Sequence, residues 1–334
     1  MTAAVLAVDG GNSKTDVALV AADGRLLSAV RGPTTSHQAV GLEEGLRRLT
    51  ELVESAARQA GLGPTARPIA RLGVHALAGA DFGADVRLLE RGLRGTGLTE
   101  ADEVVNDCIG ALWAGATDGY GIALVCGAGI NAAAVAPDQR MARFDGIGDL
   151  SGDWGGGNAV ATAGLGAAVR ARDGRGPRTE LERTVPAHFG LKRPAALTRA
   201  MYDKRIRADR LGELSPVVFA TARGGDPVAR AIIDRLADEL TTMAIALATR
   251  LGIKRLPVDV VLAGGVFKTD DEAFFERIDA GIRAELPAAN LIRLDAPPVA
   301  GAAREGLKRV AEGGPEAVAA ARDRVRRELR EWHP

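Results

Sequence analysis

Cysteine is nearly absent: Cys108 and Cys126 are the two in 334 residues. Two thiols cannot build a disulfide framework in a chain this long, and no CxxC or Cys/His cluster offers metal-ligand spacing. The reading is a reducing, cytoplasmic setting. Net charge is absent as well, since 43 Lys and Arg balance 43 Asp and Glu. That removes the basic excess expected of a nucleic-acid or polyanion binder. Lysine is scarce within that balance, six residues against 37 arginines, which with abundant Ala and Gly reads as genome composition before a phosphate-binding surface. Aromatics make up only 4% of the chain, so the core must be aliphatic. No apolar run approaches the roughly 20 residues of a membrane helix. The start, Met1 to Asp9, lacks the basic opening of a signal peptide and reads as a buried strand. Neither nucleic acid nor membrane is expected as a partner.

What the chain does have is length for about two domains, 46% hydrophobic residues and 42 glycines. Val5–Val8 is an apolar strand ending at Asp9, Gly10-Gly11-Asn12-Ser13-Lys14 a tight turn, and 15–21 a second strand. Asp23-Gly24 signals a hairpin into a third strand, 26–30. Residues 39–60 carry apolar positions at helical spacing; 69–76 reads as a strand, 82–94 as a helix and 103–106 as a strand before a helix at Cys108. The pattern then restarts, with strands at 121–126 and 130–136 around Gly127-Ala128-Gly129. Helices fill 157–251, Val258–Leu262 is a further buried strand closed by Ala263-Gly264-Gly265, and helices near 271–285, 298–312 and 315–331 complete the chain. Strand, glycine turn, strand occurs twice, so a duplicated α/β unit with a cleft between its halves is the economical reading.

The glycine turns are where chemistry would sit. Asp9-Gly10-Gly11-Asn12-Ser13-Lys14-Thr15 is neither a Walker A loop nor GxGxxG, and taken alone it reads first as a structural hairpin. Asp9 tilts the balance, because strand carboxyl ends are where α/β proteins place ligands and metals. A second loop in the same setting, 126–131, suggests paired phosphate clamps, and Leu262-Ala263-Gly264-Gly265-Val266-Phe267 adds a third. Asn106-Asp107 ends a strand where a helix opens. Asp107 there is either an N-cap or a general base toward a substrate hydroxyl. Gly152-Asp153-Trp154-Gly155-Gly156-Gly157 holds another carboxylate, placed to bind sugar hydroxyls. His37 follows Pro33-Thr34-Thr35-Ser36 in a loop; His75 reads as a core histidine, His188 and His333 as surface residues, and Cys108 as a packing residue.

In this order the segments resemble the five-part pattern of the sugar kinase, actin and heat-shock-chaperone superfamily: 9–15, 106–114, 126–131, 261–267 and 301–307. Within it the chain is most similar, over essentially its whole length, to the N-acetylglucosamine kinase branch of the BadF/BadG/BcrA/BcrD ATPase family. The resemblance implies an α/β fold of two duplicated actin-like, ribonuclease H-like domains. Each would be a mixed five-stranded sheet with flanking helices, facing the other across an ATP cleft. The expected domains are 1–117, joined by C-terminal helices from about 298 to 334, and 118–297.

By the same resemblance Asp9 would orient Mg²⁺ through water, and Gly10, Gly11, Asn12, Ser13 and Lys14 would hold phosphates. Gly127, Ala128 and Gly129 would form the second clamp, with Gly264, Gly265 and Phe267 against the adenosine. Asp107 would be the catalytic base; it would also bind the sugar together with Ser36, His37, Asn106, Asn131 and Asp153. The implied activity is ATP-dependent phosphorylation of an amino sugar, N-acetylglucosamine at its 6-hydroxyl first. Three positions depart from the branch: Ala128 and Ile130 replace hydroxyl residues in the second loop, and Ser36 stands where an Asn would read a sugar hydroxyl. A fourth, Trp154, replaces a Glu. The alternatives are an ATP-driven activator of a CoA-ester reductase or dehydratase, discounted because both cysteines sit in cleft motifs, and a kinase-derived sugar sensor. The helix at 315–331 is expected to pack back on the N-terminal domain, with homodimerisation through it as the alternative.

Overall fold

The computed structural model describes residues 2–63 and 67–333. Its first half runs β1 (Ala3–Gly10), β2 (Lys14–Val20), β3 (Leu26–Pro33), α1 (His37–Val40), α2 (Leu42–Gln59), β4 (Ala70–Leu77), α3 (Gly83–Thr96), β5 (Thr99–Asn106) and α4 (Asp107–Gly115). The second half runs β6 (Gly121–Cys126), β7 (Ile130–Val135), β8 (Met141–Arg143), α5 (Gly156–Asp173), α6 (Leu181–His188), α7 (Pro194–Tyr202), α8 (Ser215–Arg223), α9 (Pro227–Leu251), β9 (Asp259–Ala263), α10 (Glu272–Glu285) and β10 (Asn290–Arg293). Helices α11 (Val299–Val310) and α12 (Pro315–Arg330) follow.

The two five-stranded sheets have one topology. The first is ordered β3-β2-β1-β4-β5, and the second, read from its meander edge, β8-β7-β6-β9-β10. In each, an antiparallel meander is continued by two parallel strands, so the expected duplication and mixed sheets are present. Two strands were not legible in sequence. β8 has three residues and β10 four, too short for a period to show. The helix expected over 39–60 is broken at Gly41, whose φ of 86° only glycine adopts freely, and His37 opens the short α1 rather than lying in a loop.

Burial explains why β1 is a continuous apolar run rather than an alternating one. Leu6 and Val8 join a core with α2 and α3, whereas Val5 and Ala7 join a second core shared with α4 and α11. That second core also takes Ala123 of β6, Ala133 and Val135 of β7 and Val261 of β9, so α4 and α11 form a layer between the sheets. Such a layer requires small residues. A Cβ on Gly301 would lie 2.0 Å from the Gly110 carbonyl oxygen, so the two helices touch backbone to backbone. Helix α4 is apolar all round because every side of it is covered. Helix α12 lies on β3 and α11: Leu26 N donates to Glu328 at 2.7 Å, and Arg31 stacks over Trp332. Among the described residues no helix is long and apolar enough to cross a membrane.

Candidate active site

The first sheet gathers carboxylates at the carboxyl ends of its strands. Asp9 ends β1, and Gly11 N to Lys14 O at 2.9 Å closes the turn that follows, with Asn12 and Ser13 at its exposed tip. Gly10 is packed from behind by Leu77 and Thr35, too closely for a side chain. The turn is also tied to the 34–36 segment. Thr34 donates to Gly11 O at 2.8 Å, and the hydroxyls of Thr15 and Thr35 meet at 3.0 Å. Asp16, fully buried in β2, is engaged by Arg31 at 2.6 and 2.8 Å and by Lys14 at 3.3 Å. Lys14 therefore points partly back toward its own strand.

Asp9 has neighbours of its own sign. Burial and the nearby Asp107 and Asp16 push its carboxyl up to about 7, against the pull of Lys14 and Arg31. Asp107 stands at the first position of α4, and the capping question is settled by its neighbour. The Asn106 side chain accepts from Cys108 N at 3.1 Å, so Asn106 is the N-cap. Burial, then the negative charge of Asp81, raise Asp107 to about 6. Asp81, from the turn after β4, carries no signal in the sequence. It accepts from Asn106 Nδ2 at 3.0 Å and from Gln38 at 3.2 Å, and faces Arg143 of β8 at 3.6 Å.

Beside this cluster lie two buried polar atoms, Ser36 Oγ and His37 Nδ1, that have no hydrogen-bond partner among the described residues. His37 reaches Asp85 with its other nitrogen at 3.9 Å. A buried hydroxyl left without a partner costs free energy and is a natural ligand contact.

The second sheet contributes backbone instead of charge. Gly127, Ala128 and Gly129 turn between β6 and β7, with Gly127 N bonded to Gly129 O at 2.9 Å. The start of α5 fixes this turn from below: Gly157 N donates to Gly127 O at 2.7 Å and Asn158 N to Ala128 O at 2.9 Å. Gly264, at φ 109°, lies so close that a Cβ would be 2.4 Å from the Cys126 carbonyl oxygen. These loops border a cavity of about 530 Å³ lined by Gly127, Ala128, Asn158, Pro216, Phe219 and Gly265, among others. A second cavity of about 560 Å³ shares Ala128 and Asn158 as its wall and contains Gly129, Asp153 and Trp154. Asp153 is held there by the Ser151 hydroxyl.

Several expected residues do something else. Phe267 is 5% exposed and stacks on Phe274 in the core, so its side chain is not in the cavity wall; the wall takes Val266 and Lys268 instead. Asn131 accepts from Ala132 N at 2.8 Å and packs against Gly146. The wall residues on α8 carried no sequence signal, because a helix gives no hint of which face a cavity will occupy. His75 is a buried partner of Asp102 at 2.8 Å, as a core histidine should be. Both thiols are buried, Cys126 raised to about 12 and Cys108 also well up, so neither is a reactive thiolate.

This arrangement has known relatives. The chain is 29% identical over 265 residues to the N-acetylmuramic acid/N-acetylglucosamine kinase of Clostridium acetobutylicum, covering 78% of this chain and 85% of that protein. It is 24% identical over 308 residues to the N-acetyl-D-glucosamine kinase of Dictyostelium discoideum, covering 89% and 96%. A solved structure named as a candidate N-acetylglucosamine kinase from Chromobacterium violaceum shares the fold at a TM-score of 0.70 and 24% identity, over 92% of this chain and 99% of that one. The model of the BadF/BadG/BcrA/BcrD ATPase family matches residues 6–305, from the first strand through most of α11. With both sheets, both glycine turns and the strand-end carboxylates inside that span, the chain belongs to the BadF/BadG/BcrA/BcrD ATPase family.

Proposed function

We propose that the protein is an ATP-dependent kinase of an amino sugar, N-acetylglucosamine first, forming the 6-phosphate. The observation that carries this is Asp107. It is freed from capping by Asn106, desolvated in the cleft, and raised to about 6, which suits a base that is ionised at neutral pH yet accepts a proton readily. In the proposed reaction the sugar hydroxyl attacks the γ-phosphorus of ATP and its proton passes to the Asp107 carboxylate. The bond to the bridging oxygen breaks and ADP leaves. Gly10, Gly11, Asn12, Ser13 and Lys14 on one side, and Gly127, Ala128 and Gly129 on the other, would hold the phosphates. Gly264 and Gly265 would lie beside the nucleoside in the cavity of about 530 Å³. Phe267 would act from behind that wall.

The donor set suits Mg²⁺. Asp9 lies among Asp16 and Asp107 with an excess of negative charge; Asp16 is taken up by Arg31, which leaves Asp9 to hold the ion through water, as Mg²⁺ prefers. A bound Mg²⁺ would supply charge neutralisation to the phosphates. The unpartnered Ser36 and His37 atoms, with Asn106 and Asp153, would bind sugar hydroxyls. Asn131 would support the loop near them. Closure of domain 1–117, with 298–334, on domain 118–297 would exclude water from the transfer.

The buried cysteines speak against an activator whose iron–sulfur cluster bridges two subunits, since neither thiol reaches a surface. The test is coupled ADP release over hexoses, hexosamines, N-acetylglucosamine and N-acetylmuramic acid. Turnover with an N-acetylated amino sugar, lost in Asp107→Asn, is the expected result. No sugar raising turnover above background would overturn the reading.

A further inference from the structure

Asp81 is a carboxylate that joins three parts of the molecule. From the turn after β4 it accepts Asn106 Nδ2 at 3.0 Å, and Asn106 is the cap beside the base. Its other oxygen accepts Gln38 Nε2 at 3.2 Å, and Gln38 follows His37 in α1. Across the cleft it faces Arg143 Nη1 at 3.6 Å, the last residue of β8 in the opposite sheet. Arg143 is itself anchored: its guanidinium donates to Phe144 O at 3.1 Å, and its own carbonyl accepts from Arg250 of α9 at 3.0 Å. The Asp81 side chain is nearly buried and that of Arg143 only 24% exposed, so the pair is shielded from solvent screening.

We propose that Asp81 is a positioning residue for the reaction at Asp107, coupling the base-bearing end of β5 and the His37 segment to the opposite sheet through Arg143. The inference rests on the kinase reading for its kinetic consequence but not for the network itself. At 3.6 Å the Arg143 contact is a loose ion pair that a small approach of the two sheets would convert to a direct hydrogen bond. Tightening it draws on the same carboxylate oxygen that holds Asn106. The position of the cap, and with it the start of α4 where Asp107 stands, then depends on how the sheets meet. The other charged groups around Asp81 are Asp85 of α3 and His37 of α1, and those around Asp107 are Asp9 of β1 and Asp81. Arg143 is the cation that reaches Asp81 from the second sheet.

The experiment compares the full chain with Asp81→Asn, Arg143→Gln and the double variant, with two readouts. In steady-state kinetics with ATP and the best sugar, Asp81→Asn is expected to lower kcat roughly tenfold and raise sugar KM several-fold. ATP KM should stay within about twofold, and the double variant should be no worse than Asp81→Asn alone, as for residues acting as a unit. In ligand-free protein, Arg143→Gln is expected to shift the side-chain amide NMR signals of Asn106 and Gln38, neither of which is bonded to Arg143. Multiplicative kinetic losses, or amide signals that do not move, would overturn the coupling. If wild type phosphorylates no sugar while the amide signals do shift, the kinase reading fails and the network stands.

Discussion

The two sheets repeat one strand order, yet they furnish the cleft with opposite materials. Around the ends of β1, β4 and β5 stand Asp9, Asp81 and Asp107, with Asp16 neutralised by Arg31 behind them. Around the ends of β6 and β9 stand glycine and alanine turns, fixed by the first residues of α5 and by Gly264 against the Cys126 carbonyl. One side holds carboxyls raised by burial and then by their neighbours' like charge; the other offers backbone in a nearly uncharged loop. A duplicated fold thus divides labour by specialising its loops, and the sheets need not change. The difference also explains how a chain of zero net charge can address a polyanion: backbone and a metal can neutralise phosphates without a basic surface.

The comparison breaks first at the base. Asp107→Asn should lower kcat by about 10²–10⁴-fold, the range for loss of a general base, while ATP KM stays within about twofold, because the proposed phosphate contacts are the glycine turns and not the Asp107 carboxylate. Equal losses in kcat and ATP binding would mean that the labour is not divided. On the glycine side the effect should be the mirror image. Gly264→Ala puts a Cβ 2.4 Å from a backbone oxygen at a φ of 109°, strain of about 1–3 kcal/mol. It should raise ATP KM roughly tenfold and leave sugar KM unchanged, measured by varying each substrate at saturation of the other.

Ser36→Ala sharpens the charged side. Its hydroxyl has no hydrogen-bond partner among the described residues, so the melting temperature should hold or rise slightly. Sugar KM should increase by roughly 5–20-fold if that hydroxyl pairs with the sugar. A drop in stability with unchanged KM would make Ser36 structural.

The pH dependence is the finest test. Activity should fall as pH drops through about 6, where Asp107 takes up a proton. Ligand-free stability should run the other way. A carboxyl raised in the folded state binds protons more tightly there than in the unfolded chain. Its unfavourable contribution is therefore absent below about pH 4, grows as pH rises, and is complete above the folded value. Asp9→Asn should therefore melt at least about 2 °C higher than wild type at pH 7.5, with the gap closing toward pH 4. A gap that is independent of pH would refute the raised Asp9 carboxyl and its assigned causes, burial and then like charge.

The sequence carried the site unevenly, for reasons visible residue by residue. Asp9 and the 127–129 turn were legible as candidates, and as strand ends and turns, because a buried strand followed by glycine is a local pattern. Asp107 was legible as a position but ambiguous as a role, since a cap and a base occupy the same kind of strand end. The bond from Cys108 N to Asn106 assigns the cap to Asn106 and leaves the role of base to be tested. The direction of the Phe267 side chain was not legible for the opposite reason. It lies in a loop that does reach the cavity, but whether a side chain turns outward or into the core depends on Phe274, seven residues on and brought beneath it by α10. Asp81 and Arg143 carried no signal, because their partnership spans 62 positions and two sheets.

The sequence by itself determined what is local: which of the longer segments are strands and helices, where the main glycine turns open the backbone, that the core is aliphatic, and that the unit is repeated. These follow from periodicity and from the conformational range of single residues. Tertiary structure alone decided which carboxylates face one another, and therefore which are raised. It also decided which polar atoms are left unpartnered, and that an arginine of one sheet answers an aspartate of the other. Desolvation and Coulomb interaction depend on distance in space, and two residues far apart in the chain acquire that distance only when the sheets are packed.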